Sequence, residues 1–125
     1  MSNMTQSLED YIEAIHMLIE DKGSACVRDV AKMLDVKMPS VVKAIHELKK
    51  MELVTQEPYG PILLTETGRS LAQNVLDRHK LLRSFLVKLG VSGKIADRDA
   101  CRMEHILSAE TLDKIRMFSE TRGKK

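Results

Sequence analysis

Aromatic residues are almost absent from this chain of 125 residues, which has two Tyr, two Phe and no Trp. Modules that bind single-stranded nucleic acid stack bases on exposed rings, and this chain has too few rings for such a platform. No apolar run exceeds three residues, whereas a membrane-spanning helix needs about 20. The first ten residues carry neither the basic nor the apolar segment of a signal peptide. We therefore expect a cytoplasmic protein.

Cysteine is scarce, and the two charge signs are nearly balanced. In a reducing compartment Cys26 and Cys101 are each expected as a buried apolar residue or a ligand, and Cys26 as a small core residue. The 20 basic and 18 acidic side chains leave a net charge of +2. This balance neither requires nor excludes a nucleic-acid partner, because binding depends on how charges cluster.

Hydrophobic periodicity predicts three helices, a two-stranded hairpin and three further helices. This order is typical of a winged helix-turn-helix, with a helical bundle carrying an incidental hairpin as the alternative. The predicted fold class is mainly α, with a winged helix-turn-helix domain over residues 1–71 and an all-helical dimerisation domain over residues 72–125. The last three helices are predicted at about 66–89, 94–107 and 109–119.

The third predicted helix is rich in short polar and cationic side chains, which suits the first turns of a helix that reads base edges in the major groove. Lysines there mostly add salt-dependent phosphate contacts. A merely solvated lysine-rich face is the alternative, since Glu47 and Glu52 interrupt the basic stripe. The candidate DNA-binding residues are Lys37, Pro39, Ser40, Lys43, His46 and, at the hairpin tip, Tyr59, for which an ordinary exposed turn residue is an equal alternative.

Acidic, thiol and imidazole side chains also recur at helical spacing. Cys101, Glu104 and His105 occupy positions i, i+3 and i+4, which predicts one shared face of the fifth helix. A thiol, a carboxylate and an imidazole together can bind a first-row transition metal. Asp10 and Glu13 lie three apart on the first helix, and such a pair taken alone is more simply explained as solvated surface. His79 on the fourth helix, taken alone, is likewise more simply a surface or core histidine.

Four segments resemble the DtxR/MntR family of metal-dependent transcriptional repressors, and they span essentially the whole chain. The segments are Ser7–Glu13, Arg78–Leu82, Ala100–His105 and Ser108–Leu112. The resemblance implies a homodimer that binds palindromic operator DNA when a divalent metal is present and controls metal-homeostasis genes. It also implies the short two-domain form of the family, because the chain ends before the SH3-like third domain of the iron-responsive branch.

The resemblance is greatest to the manganese-responsive branch, and it implies a specific ligand set. That branch has Asp and Glu on the first helix, His on the linker helix, and Glu, Glu and His on the fifth helix. The matching residues here are Asp10, Glu13, His79, Glu104 and His105. Cys101 departs from this pattern and is similar to the iron branch, which has Met where this chain has Asp10. The implied cofactor is Mn²⁺ or Fe²⁺, one or two ions per subunit, with Co²⁺ or Zn²⁺ as substitutes.

Two other functions compete with the metal-dependent repressor. One is a winged-helix regulator that senses redox state or another ligand through Cys101. The other is a metal-dependent enzyme, because carboxylates and histidines also build hydrolytic di-metal sites. No nucleophile motif accompanies the candidate ligands, so the chain is predicted not to be an enzyme.

Overall fold

The computed structural model describes residues 6–123, and within them the predicted order of six helices and one hairpin is confirmed. The chain divides into two compact units between Gln73 and Asn74. The elements are α1 (Gln6–Lys22), α2 (Val27–Leu34), α3 (Met38–Lys50), β1 (Val54–Gln56), β2 (Ile62–Leu64), α4 (Glu66–Lys88), α5 (Gly93–Met103) and α6 (Ala109–Gly123).

The N-terminal unit is built around one apolar core that the first three helices share. Each helix carries apolar residues at a spacing of three or four, so that they fall on one face and are removed from water together. The fully or almost fully buried members include Ile12, Ile15, Leu18, Val30, Val41, Ile45 and Leu48. This packing fixes α3 by its inner face and leaves its outer face exposed.

The connection between α2 and α3 is a tight helix-turn-helix turn. Asp35 has a left-handed backbone with φ 56°, which short polar residues tolerate better than most. The Val36 N–H donates to the Ala31 carbonyl at 3.0 Å, which closes the end of α2. Lys37 is extended and Pro39 sits in the first turn of α3, where its missing N–H has no helical partner to lose.

The hairpin is antiparallel, with Thr55 opposite Leu63. A further bridge, not predicted from the sequence, joins it to the segment before α2: the Ile62 N–H donates to the Ala25 carbonyl at 2.8 Å. Ala25 is fully buried and its neighbour Cys26 is exposed. The expectation that Cys26 is a core residue is therefore wrong, because successive residues of an extended segment point to opposite sides.

The hairpin tip holds Tyr59 in a strained conformation. The Gly60 N–H donates to the Glu57 carbonyl at 2.8 Å, which closes a turn whose central residues are Pro58 and Tyr59. Tyr59 has φ 62° in this turn, a backbone angle that favours glycine or asparagine. Its side chain is fully exposed, so packing against the unit does not compensate for the strain.

A close backbone approach fastens the start of α4 to the hairpin. Thr65 caps the helix, since its Oγ1 accepts the Gly68 N–H at 3.0 Å, and the same hydroxyl donates to the Glu52 carbonyl at 2.8 Å. A Cβ placed on Gly68 would lie 2.0 Å from the carbonyl oxygen of Leu53. Only glycine fits here, because the group that a side chain would meet is backbone.

We expect Gly68→Ala to lower the free energy of unfolding of the N-terminal unit by about 3 kcal/mol, near the upper end of typical overpacking penalties. The measurement is urea denaturation followed by circular dichroism. Ser70→Ala, an exposed change on the same helix, serves as the control and should have almost no effect. Equal stability of the two variants would contradict the close approach.

The C-terminal unit has a much smaller core. Among the described residues its buried apolar cluster consists of Leu82, Ala100 and Leu112 with four partly buried neighbours, and Val75 and Ala96 are also fully buried. Several large apolar side chains of this unit remain exposed. They are Val87, Leu89, Ile95, Ile106, Met117 and Phe118.

The fifth helix is shorter than the sequence predicts, ending at Met103 and not at residue 107. Beyond it, bonds that span three residues appear: the His105 N–H donates to the Arg102 carbonyl at 3.3 Å and the Ile106 N–H to the Met103 carbonyl at 3.1 Å, while the Leu107 N–H still reaches the Met103 carbonyl at 3.2 Å. This tighter winding ends the helix before Ser108. The Ser108 Oγ then caps α6 by accepting the Thr111 N–H at 3.1 Å, as predicted.

None of the helices in residues 6–123 combines the length and apolar character needed to cross a bilayer.

Candidate metal centre

Four of the six predicted metal ligands lie in the C-terminal unit. His79 is in the middle of α4, Cys101 is in the last turn of α5, and Glu104 and His105 follow directly after α5. The prediction that the last three share one helix face is therefore wrong in detail, because the tight turn after Met103 carries two of them. Asp10 and Glu13, the other two, are half-buried side chains of α1 in the N-terminal unit.

The centre of the site is the carboxylate of Glu104, which is completely buried. His79 Nδ1 lies 2.9 Å from its Oε1, and His105 Nε2 lies 3.4 Å from its Oε2. The imidazoles are also withdrawn from water, with side-chain exposures of 15% for His79 and 1% for His105. A buried carboxylate is costly unless cationic or hydrogen-bonding groups surround it, and here each oxygen faces an imidazole nitrogen.

A fourth polar side chain, Asp97, joins this cluster and was not among the predicted ligands. Its Oδ1 lies 2.8 Å from His79 Nε2 and 3.5 Å from Arg83 Nε. Helical spacing offers a signal that could have found it, since Asp97 precedes Cys101 by four residues on α5. His79 thus has a carboxylate on each ring nitrogen.

The two carboxylates change the acid–base behaviour of His79. Burial by itself lowers the pKa of the imidazole, but hydrogen bonds to Asp97 and Glu104, together with their negative charges, outweigh it and raise the pKa above 6.5. A histidine whose pKa is raised on folding stabilises the fold fully below its unfolded pKa. That contribution is lost as pH rises through the folded-state pKa.

We expect the His79 pKa of the metal-free protein, measured by proton–nitrogen NMR, to lie above 6.5, and Asp97→Asn to lower it. Asp113→Asn removes an equal charge from an exposed position in the same unit and should leave the His79 pKa unchanged. In parallel, the metal-free wild type should lose stability from pH 6.5 upward, as the proton on His79 is released. A His79 pKa at or below 6.5 would contradict the paired carboxylates.

The donors fit a divalent transition metal in type, though they are not assembled around a single point. Carboxylate oxygen and imidazole nitrogen suit Mn²⁺ and Fe²⁺, and the Cys101 thiol suits softer ions such as Zn²⁺. Within residues 6–123, no three His, Cys, Asp or Glu side chains are arranged so that they could hold an ion. In the structure, Glu104 is instead engaged with the two imidazoles, and Cys101 is exposed at the surface.

The predicted DNA-binding residues lie on exposed positions of the N-terminal unit. Five of them form the N-cap and outer side of α3, and Tyr59 projects from the hairpin tip. The α3 residues are Lys37, Pro39, Ser40, Lys43 and His46. Exposure makes them available for contact with DNA, and their role in binding stays a prediction.

Two family models match the chain, one for each half. The model for the iron-dependent repressor N-terminal DNA-binding domain matches residues 3–62, and the model for the iron-dependent repressor metal-binding and dimerisation domain matches residues 65–123. The chain belongs to the iron-dependent repressor family. The family confirms the resemblance inferred from the sequence and the predicted fold, a winged helix-turn-helix followed by a helical dimerisation domain. Its members are metal-dependent transcriptional regulators and not enzymes, as predicted.

Individual relatives agree with this assignment. The HTH-type transcriptional regulator MntR of Geobacillus kaustophilus is 44% identical over 111 residues, covering 89% of this chain and 79% of that protein. The transcriptional regulator MntR of Escherichia coli O6:H1 is 42% identical over 118 residues, covering 94% and 76%. These matches give no support to the alternative of a redox sensor acting through Cys101.

Among solved structures, that of the manganese regulator SloR superposes with a TM-score of 0.81 at 26% identity. It covers 94% of this chain, but this chain spans only 55% of the SloR chain.

Proposed function

We propose that the protein is a repressor whose homodimer binds palindromic operator DNA when Mn²⁺ or Fe²⁺ is bound, and so controls metal-homeostasis genes. The observation that carries the proposal is the buried Glu104 carboxylate between His79 and His105. A fully buried acid in a unit with so small an apolar core is hard to explain by stability alone, because apolar side chains of similar size would fill the space at lower cost.

We infer that six side chains hold the metal. They are Asp10, Glu13, His79, Cys101, Glu104 and His105. A bound divalent cation supplies positive charge that neutralises carboxylates which would otherwise repel one another. To hold the ion, Glu104 would give up its contacts with the imidazoles, and any proton on the imidazole nitrogens that face Glu104 would leave to solvent, so that their lone pairs become available. One or two ions per subunit are compatible with six ligands, and Co²⁺ or Zn²⁺ could substitute.

The proposed ligands are divided between the DNA-binding half, with Asp10 and Glu13, and the C-terminal half. An ion bound by ligands from both halves would restrain the two halves relative to each other. In a dimer this would narrow the range of distances between the two α3 helices. A narrower range raises operator affinity, because less conformational freedom is lost on binding. Thermodynamic reciprocity then requires operator DNA to tighten metal binding by the same factor.

An open apolar groove in the C-terminal unit supports the homodimer. It has a volume of about 430 Å³, and its lining includes Phe85, Leu89, Ile115 and Phe118. The rings of Phe85 and Phe118 pack edge to face with centroids 6.1 Å apart. A second copy covering this surface would enlarge the small core of the unit, which matches the dimerisation domain of the family.

The remaining parts of the proposal follow from the role in transcription. We place the protein in the cytoplasm, because a transcriptional regulator must reach DNA. We also infer that the functional boundary between the two domains lies after residue 71, which is close to the division of the structure between Gln73 and Asn74.

Fluorescence anisotropy with a duplex from the promoter of the protein's own gene tests the proposal. Adding Mn²⁺ or Fe²⁺ should raise duplex affinity at least tenfold over the metal-free protein. In the metal-loaded state Lys43→Ala should weaken binding to the duplex while leaving metal affinity without DNA unchanged. Lys22→Ala, an equal loss of charge at an exposed position at the end of α1, is the control. Equal affinity of metal-free and metal-loaded protein would overturn the proposal.

Cys101 offers a test of metal selection. Because it is exposed, a larger side chain can replace it without disturbing the core. We expect Cys101→Glu to shift the ranking of metals towards Mn²⁺, since a carboxylate is a harder ligand than a thiolate. Cys26→Ser, which alters the other exposed cysteine, should leave the ranking unchanged. An unchanged ranking in Cys101→Glu would show that residue 101 does not contact the ion.

A further inference from the structure

His79 has chemically different surroundings at its two ring nitrogens. Nδ1 faces Glu104, whose other oxygen faces His105. Nε2 points to Asp97, whose side chain is 59% exposed and lies on the rim of the cluster. An ion held by both Glu104 and His79 would therefore meet His79 at Nδ1, and Nε2 would not be a ligand.

We propose that Asp97 is a positioning residue that accepts the Nε2–H of His79 and so presents the Nδ1 lone pair to the metal. The inference rests on the proposed role of His79 as a ligand. It gives a function to a residue that was not among the predicted ligands. A neutral imidazole carries one proton, and an acceptor fixed at Nε2 determines which nitrogen keeps it.

Asp97 is itself held in place. Arg83, one helical turn after His79 on α4, approaches the same Oδ1 atom at 3.5 Å. The arginine lies close to the start of α5, since a Cβ on Gly93 would meet its terminal nitrogen at 3.1 Å. The absence of a side chain at Gly93 leaves room for this guanidinium. The orientation of His79 is thus determined by contacts that link α4 to α5.

This arrangement has a known consequence for ligand strength. A carboxylate that accepts the distal N–H of a ligating imidazole fixes the ring and makes its other nitrogen more basic. Loss of such a partner typically lowers metal affinity by about 10- to 100-fold. Asp97 is therefore expected to affect affinity without changing the number of ions bound.

The test compares Mn²⁺ binding by the wild type with that of Asp97→Ala and Asp97→Glu. We expect Asp97→Ala to bind the same number of ions about 10-fold or more weakly. Asp97→Glu should restore most of the affinity, because the exposed site accommodates one more methylene and keeps the acceptor. Asp113→Ala, an equal charge change in an exposed pair of the same unit, should bind as the wild type does.

Nitrogen-15 NMR provides a readout that a merely structural role would not move. In the wild type loaded with diamagnetic Cd²⁺, His79 should show a metal-bound Nδ1 and a protonated Nε2. In the metal-free wild type at acidic pH, the Nε2–H signal should exchange slowly with water, and this protection should be lost in Asp97→Ala.

The possible results separate the two proposals. Wild-type affinity in Asp97→Ala, or a metal-bound Nε2 in the wild type, would overturn the positioning role alone. Loss of one bound ion in Asp97→Ala would also overturn it, because Asp97 would then be a ligand. Failure of the wild type to bind any ion would overturn the proposed function, while the slow Nε2–H exchange would still report whether Asp97 holds His79.

Discussion

The burial of one carboxylate governs the chemistry of the C-terminal unit. Glu104 is fully buried, although its unit has a buried apolar cluster of only three residues. Its charge is accommodated by His79 and His105, which are themselves largely withdrawn from water. Removing one member of such a group typically costs about 3–5 kcal/mol, because it leaves an uncompensated buried charge. The interior of this unit therefore depends on the contacts of Glu104 with the two histidines, in addition to its small apolar cluster.

The contacts of Glu104 with His79 and His105 also bear on how these residues would bind a metal. Glu104 forms a hydrogen bond with His79 and lies 3.4 Å from His105, and a divalent cation bound among these groups would replace both contacts. Under the proposed function, such an exchange would release the protons held by the ligating nitrogens, so metal affinity would depend on pH. Asp97 adds a second carboxylate at His79, on the opposite ring nitrogen.

The N-terminal unit is stabilised differently, by an apolar core that buries the inner face of α3 and leaves its outer face exposed. Its hairpin is anchored at Gly68, where backbone meets backbone, and at the bridge between Ala25 and Ile62. At the tip, Tyr59 keeps a strained backbone with no packing to compensate. Strain of this kind occurs most often at functional positions, which agrees with a proposed role of the hairpin in contacting DNA.

Sequence alone determined the order of elements, because helical and strand periodicities differ and the capping residues Thr65 and Ser108 mark where helices start. Helical spacing pointed to Glu104 and His105, and only the family resemblance pointed to His79; their role as metal ligands stays a prediction. Tertiary structure alone decided which groups surround His79. Asp97 lies 18 residues from it along the chain, and only the packing of α5 against α4 brings the two within 2.8 Å. The exposure of Cys26 and the early end of α5 were likewise decided by neighbouring segments, namely the bridge at Ala25 and the tight turn before Ser108. The periodicity of a single segment gives no information about contacts with residues that are distant in the sequence.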